Sequence, residues 1–245
     1  MKQVRTDINS IFFCDKVITL LPLYITLVVH VHLPLCKYFI SFRGRPLFNN
    51  KSKTNFMKRI CVNCGSNPGN NPAYLEMAKL LGKILAKRNL KLVYGGASVG
   101  LMGKVADAVI KSGGSAIGVI PKMFADKVSH QGLTELYIVD SMHERKAKMF
   151  ELADGFIALP GGFGTIEEIT ELLTWAQLGL NKKPCGIINV NGYFDNLLTF
   201  FDRSVAEGFI KQEHREMLFV EDFPETLLDR FEEYNAPRVG KWIDI

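Results

Sequence analysis

The sequence predicts an α/β fold, in which residues 57–245 form a single domain built on a doubly wound, Rossmann-like parallel sheet. Three observations support this class. Short apolar runs alternate with segments of helical periodicity along this part of the chain. Each predicted strand is apolar throughout, which is typical of parallel strands that are covered on both faces. Glycine-rich turns follow several strands, at the edge where such sheets bind ligands.

Seven strands are predicted from apolar runs that are bounded by glycine, proline or charged residues. In chain order they span residues 59–63, 91–94, 115–120, 136–139, 155–159, 185–190 and 217–220. The third strand closes at Pro121, and the fifth leads directly into Pro160.

Six helices are predicted between or after these strands, from apolar residues that recur at helical spacing. They span residues 72–88, 100–111, 142–153, 165–180, 194–207 and 225–234. The first has Pro72 at its start and the second stops before Gly113, positions that these residue types favour. Residues 122–133 show little periodicity and are predicted to be a loop.

Residues 1–56 are assigned to a separate N-terminal extension because their charge differs from that of the main domain. They hold eight Lys or Arg against two Asp, a net charge of +6, so the remainder carries −1 of the total of +5. Residues 17–35 carry no formal charge and could just span a bilayer, although His30 and His32 interrupt them. Three interpretations stay open: a membrane or targeting element, a packed additional piece, or an upstream extension of a working protein that starts at Met57. Membrane association is expected only in the first case.

Charge and cysteine content argue against several classes of function. Because the main domain is nearly neutral, no basic face is predicted and nucleic-acid binding is disfavoured. Five cysteines are few and odd in number, so we expect reduced thiols and a cytoplasmic location. Cys61 and Cys64 form a C-x-x-C pattern without a second pair, and the histidines of the main domain show no metal spacing. We therefore expect neither a metal nor a cofactor.

Three glycine-rich turns are predicted to lie together at the ligand-binding edge of the sheet. They contain Ser66, then Gly95 and Gly96, and then Gly161, Gly162, Gly164 and Thr165. In the third turn, glycines would let the backbone approach an anion at which the N–H groups of the next helix point. Thr165 stands where a helix cap or a phosphate-contacting hydroxyl is expected. A tight turn without a ligand is the alternative, and the spacing matches neither the dinucleotide nor the P-loop motif.

Three glutamates follow the third turn, and a helical wheel separates them. Glu167 and Glu171 fall on the exposed side of the predicted helix, whereas Glu168 falls at the edge of its apolar arc. The structural alternative is that all three complement the positive end of the helix dipole. A carboxylate at a buried edge beside a glycine loop is the better candidate for a functional site.

Arg145 and Lys146 stand close to the start of the predicted helix 142–153. Cations at that end oppose the helix dipole, which is locally unfavourable. An anionic or polar ligand at the sheet edge would explain them, and a solvated helix face is the alternative.

Two motifs in this arrangement resemble those of the LOG ("Lonely guy") family of cytokinin riboside 5′-monophosphate phosphoribohydrolases, some of which were formerly mislabelled lysine decarboxylases. The pattern M-H-x-R-K is matched by residues 142–146, and the signature P-G-G-x-G-T-x-x-E is matched in full by residues 160–168. The similarity covers roughly residues 57–228. Residues 1–56 have no counterpart in it.

The resemblance implies a catalytic pair and a substrate cradle. Arg145 and Glu168 match the catalytic arginine and glutamate of the family. The residues that match its phosphate- and ribose-holding loop are Gly161, Gly162, Gly164 and Thr165. Further expected substrate-binding residues are Lys146, Glu167, Ser66, Gly95 and Gly96. Some plant members have a substrate-contacting glutamate before M-H-x-R-K, and residues 126–129 give no clear match to it.

The activity implied by the resemblance is hydrolysis of the N-glycosidic bond of N6-modified adenosine 5′-monophosphates, such as cytokinin riboside 5′-monophosphates, or of AMP. Free base and ribose 5-phosphate would be released without a cofactor, by a homodimer. A non-catalytic nucleotide- or molybdenum-cofactor-binding protein of the same fold is the alternative. Trp175 and Leu178 are expected either at a dimer contact or in the core.

Overall fold

A sheet of seven parallel strands organises residues 57–237, which are the residues that the computed structural model describes. The strands are β1 (Arg59–Asn63), β2 (Lys91–Tyr94), β3 (Ala116–Pro121), β4 (Glu135–Val139), β5 (Gly155–Ala158), β6 (Cys185–Ile188) and β7 (Leu218–Glu221). Their spatial order is β4-β3-β2-β1-β5-β6-β7, and every neighbouring pair is parallel. The predicted α/β class and doubly wound sheet are confirmed.

Helices connect the successive strands and continue beyond the last one. Those of the described residues are α1 (Pro72–Lys87), α2 (Gly100–Lys111), α3 (Lys122–Val128), α4 (Met142–Leu152), α5 (Phe163–Gln177), α6 (Asp195–Ala206), α7 (Gln212–Arg215) and α8 (Pro224–Glu232). The first begins as its sequence predicts, because Pro72 needs no hydrogen-bond acceptor at this position. The side chain of Asn71 accepts a hydrogen bond from the Ala73 N–H and so caps the helix.

The strand order reverses next to β1, and this reversal creates the crevice in which the candidate site lies. After β1, the chain adds β2, β3 and β4 on one side and then returns to place β5 on the other. The pairing of Asn63 with Ala158 brings the carboxyl ends of β1 and β5 to the same level. Ligands of doubly wound sheets bind outside the strand ends at such a switch point.

Side chains alternate along the strands between two hydrophobic layers, as the two-residue period of a strand requires. In β1, Ile60 and Val62 pack in the layer formed with α1, α2 and α8. Cys61 packs in the opposite layer, formed with α4, α5 and α6. Because α4 and α5 share one face of the sheet, residues in the first turns of these two helices can meet above the switch point.

The structure corrects the predicted loop at 122–133, whose first half is the helix α3. This helix buries only Ala125, so a repeating apolar pattern was absent from its sequence. The short helix α7 was missed because a single turn shows no period. The predicted helix 165–180 instead spans Phe163–Gln177, since the backbone already turns helical at the glycine loop.

Trp175 packs at the edge of the core. It is half-buried, it packs against the layer that contains α4, and its ring meets Phe150 edge-on with centroids 5.0 Å apart. Leu178, by contrast, is 41% exposed. Of the two residues named for a dimer contact, Leu178 is therefore the more exposed.

Among the helices of residues 57–237, none combines the length and the apolar character that crossing a bilayer requires. Residues 17–35 lie outside the described residues, as does the whole extension 1–56. The interpretation of that extension, and the domain boundary at Met57, stay predictions.

Candidate active site

The glycine loop lies at the carboxyl end of β5 and leads directly into α5. Gly162 is the N-cap of this helix, and within the described residues no side chain caps it. The first N–H groups of a helix have no intrahelical acceptor, and the helix dipole adds partial positive charge there. Gly162 and Gly164 are exposed, with open space beside their Cα atoms. The loop therefore offers accessible N–H groups that can bind an anion.

The other side of this loop is packed against β1 and its following turn. The Leu159 N–H donates to the Asn63 carbonyl (2.9 Å), and the Gly65 N–H donates to the Pro160 carbonyl (3.0 Å). A Cβ atom on Gly161 would collide with the hydroxyl oxygen of Thr165 and lie 2.8 Å from the Gly65 nitrogen. Only glycine fits at this position.

Thr165 lies in the first turn of α5 and is buried, with 5% of its surface exposed. Because the helix begins two residues earlier than predicted, Thr165 is not its cap. Its hydroxyl lies under Gly161 instead, where it supports the loop from within. Direct contact between this hydroxyl and a phosphate stays a prediction.

Arg145 of α4 and Glu168 of α5 form an ion pair between the two helices. The Arg145 Nη1 atom donates to Glu168 Oε1 at 2.8 Å, and the side chains are 11% and 15% exposed. The start of α4 is fixed by Ser141, whose hydroxyl accepts from the Glu144 N–H (3.1 Å). Arg145 thus extends from a capped helix end towards the crevice, and the two predicted catalytic residues are brought together.

Gly95, at the end of β2, makes room for the Arg145 guanidinium. An added Cβ atom would collide with Arg145 Nη2 and would lie 3.3 Å from the sulfur of Met102. Gly95 is buried, so this part of the turn supports the arginine and is not itself an open surface. The neighbouring Gly96 carbonyl accepts a hydrogen bond from the His130 N–H (2.8 Å). Neither glycine is shown to contact substrate, and that part of their predicted role stays a prediction.

Burial and pairing act on Glu168 in opposite directions. Burial raises the pKa of its carboxyl above the ordinary value, and the charge and hydrogen bond of Arg145 oppose that rise. Burial also raises the pKa of the Cys61 and Cys64 thiols, and the Glu168 carboxylate adds to the effect. Both thiols are therefore neutral near pH 7 and are poor nucleophiles.

Lys146 joins the same two helices at the rim of the site. Its ammonium group donates to Glu167 Oε1 (2.5 Å) and to Glu171 Oε1 (3.0 Å), and the hydrogen bond with Glu167 is the main reason that its pKa is raised. The Glu167 side chain is 56% exposed, against 15% for Glu168, as the helical wheel predicts. Contact of Lys146 or Glu167 with substrate stays a prediction, since the structure pairs them with each other.

Ser66 lies in the turn that follows β1, directly beside the glycine loop. The Gly65 N–H holds the loop, and the Gly65 carbonyl accepts from the Leu101 N–H of α2 (3.0 Å). Ser66 itself is exposed. The three glycine-rich turns therefore converge at one edge of the sheet, as predicted.

Two residues of this edge were not singled out from the sequence. The Tyr193 hydroxyl donates to the Gly161 carbonyl at 2.7 Å, and Asn63 is 4% exposed and lines a cleft between α4 and α5 beside Glu168. The sequence signal for Tyr193 was its position shortly after the end of β6, and the signal for Asn63 was a polar residue at the end of an apolar strand. Among residues 57–237, no group of His, Cys, Asp and Glu side chains is arranged to hold a metal ion.

Comparison with known proteins assigns this arrangement to a family. The family model described as "possible lysine decarboxylase" matches residues 102–231. A probable cytokinin riboside 5′-monophosphate phosphoribohydrolase of Oryza sativa subsp. japonica is 49% identical over 189 residues, covering 74% of this chain and 85% of that protein. A cytokinin riboside 5′-monophosphate phosphoribohydrolase of Arabidopsis thaliana is 48% identical over 185 residues, 75% of this chain and 85% of that protein. The chain belongs to the LOG family. It is thus a member of a family of hydrolases, and the resemblance drawn from the two motifs is confirmed.

Solved structures share the fold of this LOG-family chain. A molybdenum cofactor binding protein from the phototrophic bacterium Rippkaea orientalis gives a TM-score of 0.57 at 20% identity, over 72% of this chain and 96% of that one. A molybdenum cofactor carrier protein from Chlamydomonas reinhardtii gives 0.56 at 18% identity, over 72% and 97%. At such identities the likeness shows the fold alone.

The ion pair predicts a pH-dependent loss of stability in the variant Arg145→Ala. Removing Arg145 leaves a buried carboxylate without its partner, which costs about 3 kcal/mol at pH 8. The pKa of Glu168 then rises further, so protonation relieves the cost as the pH falls towards the ordinary value of about 4.3. Urea unfolding of the variant and the unchanged protein at pH 8 and pH 5 should give the larger difference at pH 8.

The control is the double variant Arg145→Ala/Glu168→Gln, in which the buried group no longer titrates. Its loss of stability relative to the unchanged protein should be similar at the two pH values. A single variant that loses the same free energy at pH 5 as at pH 8 would contradict the assignment of a buried, coupled pair.

Proposed function

We propose that this protein hydrolyses the N-glycosidic bond of cytokinin riboside 5′-monophosphates and releases the free base and ribose 5-phosphate. The observation that carries the proposal is the largely buried Arg145–Glu168 ion pair, 2.8 Å long, placed next to the uncapped start of α5. A carboxylate and an anion-binding loop are the two elements that cleavage of a nucleoside monophosphate needs. The names of the curated relatives support the same reaction.

Glu168 is proposed to act on the sugar. Cleavage of the bond between C1′ and the base nitrogen develops positive charge at C1′, as in other glycosidic hydrolyses. The Glu168 carboxylate stabilises this charge and orients the attacking water, whose oxygen forms the new bond to C1′. The electron pair of the broken bond leaves with the base, which gains a proton, and the second product is ribose 5-phosphate.

Arg145 is proposed to have two effects. Its positive charge opposes the rise in the pKa of Glu168 and so keeps the carboxylate ionised. A guanidinium group has five N–H donors, and the donors not used by Glu168 are available to the ribose phosphate or to the departing base. The low exposure of both side chains limits competition from water, which strengthens these interactions.

The glycine loop is proposed to hold the 5′-phosphate. Its N–H groups and the start of α5 supply the donors and the partial positive charge. Lys146, the one lysine of the two motifs, is already bound to two carboxylates. A phosphate held by backbone donors accounts for a preference for nucleoside monophosphates without a dedicated lysine.

AMP is included as a proposed substrate, since the adenine base and the 5′-phosphate are common to both nucleotides.

We also propose that the protein is cytoplasmic and forms a homodimer. Leu178 and Leu180, at and just beyond the end of α5, are 41% and 67% exposed and offer apolar contact surface. Sedimentation of the unchanged protein and of Leu180→Glu tests the contact: a dimer that the variant converts to monomer supports it, and a monomer in both contradicts it.

The reaction is tested by chromatographic detection of free base after incubation with a cytokinin riboside 5′-monophosphate and, separately, with AMP. Glu168→Gln and Arg145→Ala should each lower kcat/KM at least about 100-fold, because each removes charge that acts on the transition state. Glu151→Gln is the matched control. Glu151 lies on α4 and pairs with Lys148 away from the pair described here, so its substitution should leave the rate unchanged.

The outcomes separate an enzyme from a binding protein of the same fold. Release of base by the unchanged protein, lost in the two variants, supports the proposal. Tight nucleotide binding without release of base would favour the non-catalytic alternative. Full activity in either variant would remove the catalytic role assigned to that residue.

A further inference from the structure

We infer that Tyr193 is a positioning residue for the glycine loop, and that it sets the direction of the Gly162 N–H towards the substrate phosphate. The inference rests on the proposed function, because it concerns how that site holds its anion. Its direct basis is the hydrogen bond from the Tyr193 hydroxyl to the Gly161 carbonyl, 2.7 Å long. Tyr193 comes from the turn after β6 and is therefore brought to the loop only by the fold.

Because the peptide group is planar, a hydrogen bond to the Gly161 carbonyl also fixes the direction of the Gly162 N–H. The Gly161 carbonyl and the Gly162 N–H belong to one trans peptide, so they point in opposite directions. When Tyr193 holds the carbonyl, the N–H must face the other way. The preceding peptide is held similarly, since the Pro160 carbonyl accepts from the Gly65 N–H at 3.0 Å. Two successive carbonyls are thus fixed on the protein side of the loop.

Glycine makes such control necessary. A Gly-Gly peptide rotates more freely than any other because neither residue has a side chain, and holding it in one orientation costs conformational entropy. A rotation of the Gly161–Gly162 peptide would also present a carbonyl oxygen to the phosphate, which repels it. The hydrogen bond from Tyr193 favours the orientation in which the Gly162 N–H faces the phosphate.

The turn that carries Tyr193 is held by hydrogen bonds of its own. The Asn189 side chain donates to Asp195 Oδ1 (2.7 Å) and accepts from the Phe194 N–H (2.8 Å). Asn191 adopts the left-handed conformation with φ of 52°, which asparagine tolerates better than most residues. These contacts close the turn between β6 and α6 on both sides of Tyr193.

Aromatic neighbours hold the Tyr193 ring in place. Tyr74 of α1 meets it edge-on with centroids 5.4 Å apart, and Phe194 does so at 4.9 Å. Edge-to-face contacts of this kind fix ring orientation. Phe194 is 2% exposed and anchors the cluster in the core, whereas Tyr193 is 43% exposed. Packing of the ring against Tyr74 and Phe194 therefore directs the Tyr193 hydroxyl at the loop.

The test compares two ligands that differ in the phosphate. Ribose 5-phosphate and the free base, the two products of the proposed reaction, are titrated into the unchanged protein and into Tyr193→Phe by calorimetry. The variant should bind ribose 5-phosphate about fivefold more weakly, as loss of one hydrogen bond implies. Its affinity for the free base should be unchanged. In turnover, KM should rise while kcat stays within about twofold, since binding is lost equally in the ground and transition states.

Tyr74→Phe is the matched control. It removes the same atom from the neighbouring ring, whose hydroxyl makes no hydrogen bond within residues 57–237. This variant should bind both products as the unchanged protein does. Thermal unfolding of both variants checks that the fold is retained. We expect it to be, because each change removes one hydroxyl from a partly exposed side chain.

Equal loss of affinity for both ligands, or no loss for either, would overturn the positioning role. Binding of ribose 5-phosphate by the unchanged protein without any turnover would refute the proposed reaction alone, while the Tyr193 comparison would remain decisive. Absence of ribose 5-phosphate binding by the unchanged protein would refute both.

Discussion

The ion pair between Arg145 and Glu168 is the interaction around which the site is built. A carboxylate that is 15% exposed would lose its charge to protonation more readily than one in water, and a partner charge at 2.8 Å opposes this. Removing either partner alone would leave an uncompensated charge in a largely buried place, which is destabilising. The contact joins α4 to α5 at the edge of the sheet where the crevice lies.

The fold supplies each condition that the pair requires. The switch in strand order puts α4 and α5 side by side on one face of the sheet, so that residues 23 apart in sequence meet. Gly95 leaves space for the guanidinium at the end of β2. A second ion-pair layer at Lys146 closes the same helix interface nearer the solvent. Each of these features limits where the charged groups can lie.

The glycine loop is exposed on one side and held by hydrogen bonds on the other, which suits its proposed role of binding an anion. On its open side lie exposed glycines and an uncapped helix end. On its fixed side, the turn after β1 and the turn after β6 each donate a hydrogen bond to a loop carbonyl. Binding an anion with preset donors costs less conformational entropy than binding it with a free loop.

The sequence by itself determined the sheet and most helix boundaries, because apolar periodicity and glycine turns are local signals. It also named Arg145 and Glu168 as candidates, because they match the two LOG-family motifs. It also separated Glu168 from Glu167, since one helical wheel decides which carboxylate lies at a buried edge. It could not show α3, whose seven residues bury one side chain, or the position of Thr165 under Gly161. Tyr193 lies 32 residues from the carbonyl that it binds, and no local sequence pattern predicts that contact. Only the tertiary structure decided which distant donors fix the loop and that Arg145 meets Glu168, because these depend on strand order and packing.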